Sequence, residues 1–265
     1  MPELAEVEYY RKVWSVGTGE AVRRIRLHPQ ARIFRESNST AIGQTLTGKT
    51  FTNSITHGKK MLFRFSEGCY LGIHLGMSGS LSACAKEMVP SRHEHLVLIM
   101  ETCALVLTDP RMFGKVLFHQ GDAPPDWWAN LPPQPQEADF DQRYLNHILE
   151  SHRRQPLKAL LLNQSEFPGI GNWMADEILW QARIHPATTA GSLSPYKRKK
   201  LFNRIKHVCV EALRIIGTDW GDPPESWLFS HRWKRGGFCP ATGKPLAFET
   251  IGGRTTCFSP AIQKY

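Results

Sequence analysis

The sequence predicts an α+β protein: an N-terminal β-sandwich with an N-terminal helix, then a helical domain that ends in a β-hairpin. Three observations predict this class. Short β-prone runs separated by turn residues fill residues 21–120. Pro124, Pro125, Pro132, Pro133 and Pro135 then crowd one stretch, which reads as an extended linker. Beyond it the apolar spacing becomes helical, and a late Gly-Gly pair separates two further β-prone runs. The expected division is 1–122 for the β domain, 123–138 for the linker, 139–226 for the helical domain and 227–265 for the hairpin.

Each element has its own signal. Pro2 to about Gly17 reads as a helix, because Leu4, Val7 and Val13 or Trp14 fall near helical spacing. Pro2 suits the first helical position, and Glu3 and Glu6 suit the positive end of the helix dipole. Met61–Phe65, Leu96–Met100 and Ala104–Leu107 read as strands of a sandwich or flattened barrel that the first helix seals. After the linker, helices are expected from Asp141 to about Ser151, Pro156 to Asn163, Trp173 to Ala182 and Pro195 to Ile216. Gly252 and Gly253 mark the turn of the terminal hairpin.

Composition narrows the function. The 265 residues hold 33 Lys and Arg against 24 Asp and Glu, a net charge of +9 that favours a polyanionic partner. No apolar run is long enough to cross a bilayer, so no membrane role is expected. Two acids, Glu3 and Glu6, precede any base, unlike a signal peptide, and an intracellular protein is expected: cytoplasmic or nucleoid if bacterial, nuclear if eukaryotic. The six cysteines form no Cys-x-x-Cys pair and no complete zinc motif.

Two places carry chemistry. If Met1 is removed, as expected before a small residue, the secondary amine of Pro2 becomes the terminus. An α-amine has a reference pKa of about 8, and a helix dipole would push it lower, toward the nucleophilic form. It could attack a sugar aldehyde carbon as lysine does in Schiff-base enzymes. Glu3 could supply the proton that a departing group needs. Both are also ordinary helix-start residues. In Leu162–Glu177, two helices flank a turn holding Pro168, Gly169 and Gly171, with Asn172 expected at the cap of the second helix. Glycines allow close approach of a nucleic-acid backbone, and a helix N-terminus offers N–H groups to phosphate.

Pro2-Glu3-Leu4-Ala5-Glu6-Val7-Glu8 resembles the N-terminal signature of the formamidopyrimidine-DNA glycosylase and endonuclease VIII family, with Ala5 in place of its usual proline. His57–Leu62, His74–Leu81, Asp109–Gly114 and Leu162–Glu177 are similar to further family segments in the same order. The resemblance runs from Pro2 to Lys264. It implies a helix–two-turn–helix in the helical domain. It makes Pro2 the nucleophile, Glu3 the acid, Glu6 a further acid near the site and Lys59 a catalytic-site lysine. His74, Asn172, Arg254 and, on weaker grounds, Lys158 would bind DNA phosphates. Met77, Arg111 and Phe113 would fill the void left by a flipped nucleotide, although core packing is the commoner fate of residues such as Met77 and Phe113 and Lys59 would suit a strand surface. Met112 stands where many members have a second arginine.

The terminal segment is similar to the zincless finger of plant and fungal members. Cys239 and Cys257 remain, while Thr242 and Pro260 stand where partner cysteines would fall. Two thiols do not close a tetrahedral zinc site, so no zinc or other cofactor is expected; a non-standard site using His231 is the alternative. The resemblance implies a monomeric bifunctional glycosylase and abasic-site lyase acting on damaged double-stranded DNA, mainly on formamidopyrimidine-type bases. The segment Gly217–Pro224 does not look like the bacterial 8-oxoguanine-gripping loop, which implies weak activity on that base. Rival readings are a non-catalytic damage-binding protein on the same scaffold, a structural nucleic-acid binder, and a metal-dependent nuclease, for which no carboxylate or histidine cluster stands out.

Overall fold

A computed structural model describes residues 1–28, 30–89 and 91–265. These form two compact units: residues 6–131 with Met1 and Pro2, and residues 132–265 with residues 3–5. No helix among the described residues is long and apolar enough to cross a membrane.

Helix α1 (Leu4–Trp14), whose first two residues belong to the second unit and the rest to the first, runs into a short 3-10 turn at Ser15–Gly17. Pro2 therefore lies before the helix and not at its first position. The reason is local: the Leu4 N–H donates to the Gly169 carbonyl at 3.0 Å instead of facing solvent at a free helix start. The dipole argument for the Pro2 amine loses force accordingly.

Two antiparallel four-stranded sheets follow. One orders β1 (Arg24–Leu27), β6 (Glu94–Ile99), β7 (Cys103–Thr108) and β5 (Ser80–Ala85); the other orders β2 (Phe51–His57), β3 (Lys60–Phe65), β4 (Cys69–His74) and β8 (Lys115–Gln120). Side chains alternate across a strand. Met61, Phe63 and Phe65 of β3 therefore meet Leu96 and Leu98 of β6 and Leu105 and Leu107 of β7 in one core, joined by Val7 and Trp14. Val97, Ile99, Ala104 and Val106 face the other way into a smaller cluster. Helix α2 (Ser39–Leu46) adds Ile42 and Leu46 to the main core.

Residues 123–138 are not wholly extended. Asp126–Ala129 forms a short helix, α3. It is held by Trp127, which packs so closely on Gly72 of β4 that a Cβ there would sit 2.3 Å from the ring.

The second unit carries α4 (Gln142–Ser151), α5 (Leu157–Leu161), α6 (Asn172–Ala182), the 25-residue α7 (Pro195–Asp219) and the hairpin β9 (Ala247–Ile251) and β10 (Arg254–Phe258). The caps follow sequence logic. Asp141 accepts from the Tyr144 N–H at 2.7 Å, and Ser194 caps α7 with Pro195 in its first turn. At α6 the expectation is off by one residue: Gly171 takes the cap position and Asn172 is the first helical residue. Helix α7 continues three residues past the expected Ile216 and stops where Trp220 turns left-handed (φ 60°). Gly252 and Gly253 both have positive φ, as the two-residue hairpin turn requires. The hairpin packs through a small core of Trp180, Leu228, Cys239, Leu246 and Cys257, with Phe248 and Ile262 against it.

Candidate active site and nucleic-acid interface

In the first unit Lys59, Met77, Arg111 and Phe113 lie on turns between strands, His74 ends β4, and Glu6 lies on α1. Lys59 sits in the β2–β3 turn and is buried, so it is not a surface lysine on a strand. His74 pairs with Lys60 and Lys115 in the sheet register. Burial, then the charges of Lys59, Lys60, Lys115 and Arg35, push its imidazole down to about 4. The ring is therefore neutral near pH 7. Its Nδ1 accepts from the Gly76 N–H at 3.1 Å, which leaves the proton on Nε2 as a neutral donor.

Met77 and Phe113 are 42% and 45% exposed, which excludes core packing for both. The Arg111 guanidinium lies over the Phe113 ring at 4.6 Å from its centroid. Two loops present these three side chains, and fully buried Asp109 ties the loops together. Its carboxylate accepts from Ser78 Oγ at 2.6 Å and from the Gly114 N–H at 2.7 Å. Gly76 (φ 61°) lets the loops touch, because a Cβ there would lie 2.5 Å from the Phe113 carbonyl carbon. Met112 turns left-handed (φ 51°) and packs on the sandwich core. Glu6 is half-buried in the first turn of α1.

Glu3 belongs to the second unit and is buried. Its two carboxylate oxygens accept from the Trp173 and Met174 N–H groups at 3.0 and 3.1 Å. This places an acid on the N-terminus of α6, where the helix dipole favours negative charge. Gly171 makes room for it: a Cβ there would fall 2.1 Å from Glu3 Cδ. Pro2 is joined to Glu3 by one peptide bond and is half-buried, while Met1 is exposed.

Asn172 and Arg254 come together in the same unit. The Asn172 Nδ2 donates to the Thr255 carbonyl at 3.0 Å, one residue from exposed Arg254. An amide nitrogen carries two protons, so one remains for a phosphate oxygen. Lys158 does not fit the expected phosphate contact. It is fully buried, and its ammonium donates to Asp176 Oδ1 at 2.5 Å and to the Asn172 carbonyl at 2.7 Å. Burial lowers its pKa, with Asp176 opposing the shift. A phosphate would have to displace those partners.

Sequence reasoning missed Asp176 and Glu177. Asp176 Oδ2 accepts from Arg232 Nη2 at 2.6 Å and from the Cys257 N–H at 3.0 Å. Buried Glu177 accepts from Gln181 Nε2 at 2.8 Å and the Phe229 N–H at 3.0 Å, and burial raises its carboxyl to about 7. The available signal was Asp176-Glu177 amid the apolar residues of α6, where unpartnered acids are costly.

Among the described residues, no group of three or more His, Cys, Asp or Glu could hold a metal ion. Cys239 Sγ accepts from Trp180 Nε1 at 3.4 Å, and His231 Nε2 pairs with the Glu225 carbonyl at 2.9 Å. A four-ligand zinc site does not fit these residues.

Residues 1–116 match the model of the formamidopyrimidine-DNA glycosylase N-terminal domain, and residues 131–221 match that of the formamidopyrimidine-DNA glycosylase H2TH domain. The chain is 34% identical over 286 residues to the formamidopyrimidine-DNA glycosylase of Geotalea daltonii, covering 100% of both chains. It is 30% identical over 281 residues to that of Arabidopsis thaliana, covering 100% of this chain and 71% of the relative. Among solved structures, wild-type Lactococcus lactis Fpg (MutM) in complex with DNA containing N7-benzyl-Fapy-dG superposes with a TM-score of 0.88 at 26% identity, over 100% of both chains.

Proposed function

The chain belongs to the formamidopyrimidine-DNA glycosylase family, and from that premise we propose that it excises oxidised bases from duplex DNA through the amine of Pro2 and then cleaves the strand as a lyase. It is a DNA glycosylase of base-excision repair that acts on damaged DNA. In the proposed sequence, removal of Met1 frees the Pro2 secondary amine. The nitrogen attacks C1′ of the flipped nucleotide, and the bond from C1′ to the base breaks as Glu3 assists proton delivery to the departing group. The amine nitrogen gives up its proton, and the C1′–O4′ bond breaks as O4′ takes one up, which opens the sugar to an iminium; this loses a C2′ proton as the C3′–O bond breaks and the 3′ phosphate leaves. A second elimination breaks the C5′–O bond, and water releases the proline amine. Ring-opened formamidopyrimidines are the preferred substrates, with 8-oxoguanine a weak one.

Around that chemistry, Lys59 and Glu6 complete the catalytic group. His74, Asn172 and Arg254 grip phosphates, and Met77, Arg111 and Phe113 fill the emptied stack. The finger is a zincless hairpin that needs no cofactor. What carries the reading is the buried Glu3 carboxylate, one residue from Pro2 and fixed on two backbone amides of α6.

Borohydride trapping on an abasic-site duplex tests the proposal. The expected product is a covalent adduct that maps to Pro2 and disappears when Met1 is retained. An adduct that persists through Lys59, or none at all from the processed protein, overturns it.

A further inference from the structure

In the second unit, the hairpin meets α6 along an edge whose geometry is set by two repeats. A two-residue turn makes Ile251 and Arg254 a hydrogen-bonded pair, so Thr256 and Phe258 also bond to β9. The peptide groups of Thr255 and Cys257 therefore face away from β9, along a free strand edge. The Thr255 carbonyl is met by Asn172 Nδ2 at 3.0 Å and the Cys257 N–H by Asp176 Oδ2 at 3.0 Å. Residues four apart on a helix rise about 6 Å, and residues two apart on a strand span about 6.8 Å. Asn172 and Asp176 thus match Thr255 and Cys257 in spacing, on one face of α6.

Asp176 carries further load. Its Oδ1 accepts from Lys158, whose ammonium also binds the Asn172 carbonyl, and its Oδ2 accepts from Arg232. All three charged side chains are buried. Asp176 is the carboxylate hydrogen-bonded to both cations, with Glu3 and Glu177 acting on them through Coulomb attraction, and breaking such a cluster leaves buried charge poorly compensated.

We propose that Asp176 is the positioning residue for the phosphate grip: it fixes the free edge of β10 and, through Lys158, the start of α6, and so holds Arg254 and Asn172 in register with each other. This rests on the reading of Asn172 and Arg254 as phosphate ligands. Asp176 itself, fully buried, touches no DNA. Lys158 acquires its place here as the strut between Asp176 and Asn172.

The test is a double-mutant cycle on a duplex carrying a tetrahydrofuran abasic analogue, with Kd measured across salt for the wild type, Asp176→Asn, Arg254→Ala and the double variant. Arg254→Ala should weaken binding about tenfold, and its salt slope should fall by about 0.9, the amount for one phosphate. Asp176→Asn should do at least as much, and should add less than about threefold in the Arg254→Ala background.

Full additivity of the two substitutions, or an unchanged salt slope for Asp176→Asn, overturns the proposal. An Arg254→Ala protein with unaltered slope and affinity would instead overturn the phosphate reading. If near-ultraviolet circular dichroism shows Asp176→Asn unfolded, Lys158→Met keeps the Asp176–Arg232 pair and is run against Asn172→Ala. The same non-additivity is expected, and additivity refutes the proposal.

Discussion

Gly171→Ala isolates the seat of Glu3 from every other contact. Gly171 has φ −119° and ψ −159°, a backbone any residue adopts, so the added methyl acts through sterics alone. Its Cβ would lie 2.1 Å from Glu3 Cδ, whereas about 3.0 Å is the least a carbon tolerates. The carboxylate must move by about 1 Å, and its side chain is flexible enough to do so without displacing the backbone. Such a move breaks or lengthens both bonds to α6, at 3.0 and 3.1 Å. Each bond to a charged group contributes about 1.5–3 kcal/mol. With partial recovery by the shifted rotamer, a loss of about 2–3 kcal/mol is expected, or about 4–12 °C in Tm for a chain of this length.

Misplacing a catalytic group by about 1 Å costs about 100-fold in rate. Single-turnover excision from a formamidopyrimidine duplex should fall by about that factor, while Kd for an abasic analogue holds. A variant that keeps its Tm within about 1 °C and its rate within about threefold would refute this account of Glu3.

Two other perturbations follow from buried carboxyls. Glu177 stands raised to about 7 from 4.5, by burial first. The folded protein holds this proton to higher pH than the unfolded chain, so the stabilisation it brings is full below about 4.5 and is lost as pH rises through about 7. That rise corresponds to about 3 kcal/mol. The Tm gain from Glu177→Gln should therefore be larger at pH 8 than at pH 5, and equal gains at both would count against it. Asp109→Ala strands the Ser78 hydroxyl and the Gly114 N–H, at about 2–4 kcal/mol by urea denaturation. Its loops should also separate, narrowing the affinity ratio of damaged over undamaged duplex; a preserved ratio means the loops hold without the tie.

Much of the architecture was legible because it rests on local rules. Short β-prone runs between turn residues pointed to the sandwich, proline and glycine to the breaks, and Gly252-Gly253 to the hairpin. The start of α1 was misread at Pro2 because the hydrogen bond from Leu4 goes to Gly169, far away in sequence. Lys158 was misread for a related reason. A lysine on a short helix beside a glycine turn has the sequence of a phosphate ligand, and only the fold brings Asp176 within 2.5 Å of it. Asp109 was seen as part of a loop motif, yet its role in joining two loops depends on Ser78, which lies on a different turn. Spacing within one element is written in the chain; pairing between elements is not.

The hairpin tip rests directly on α5. A Cβ at Gly252 would come within 2.7 Å of the Ala159 methyl, and Gly252 already needs its positive φ of 60°. The two positions share one volume, although they stand 93 positions apart in the chain. Drift at either is therefore conditional on the other: a larger residue at 159 lifts the turn, and no smaller residue than glycine exists at 252 to compensate. Over evolutionary time this pair should behave as a single inherited unit, frozen at its present size for as long as the tip must stay down.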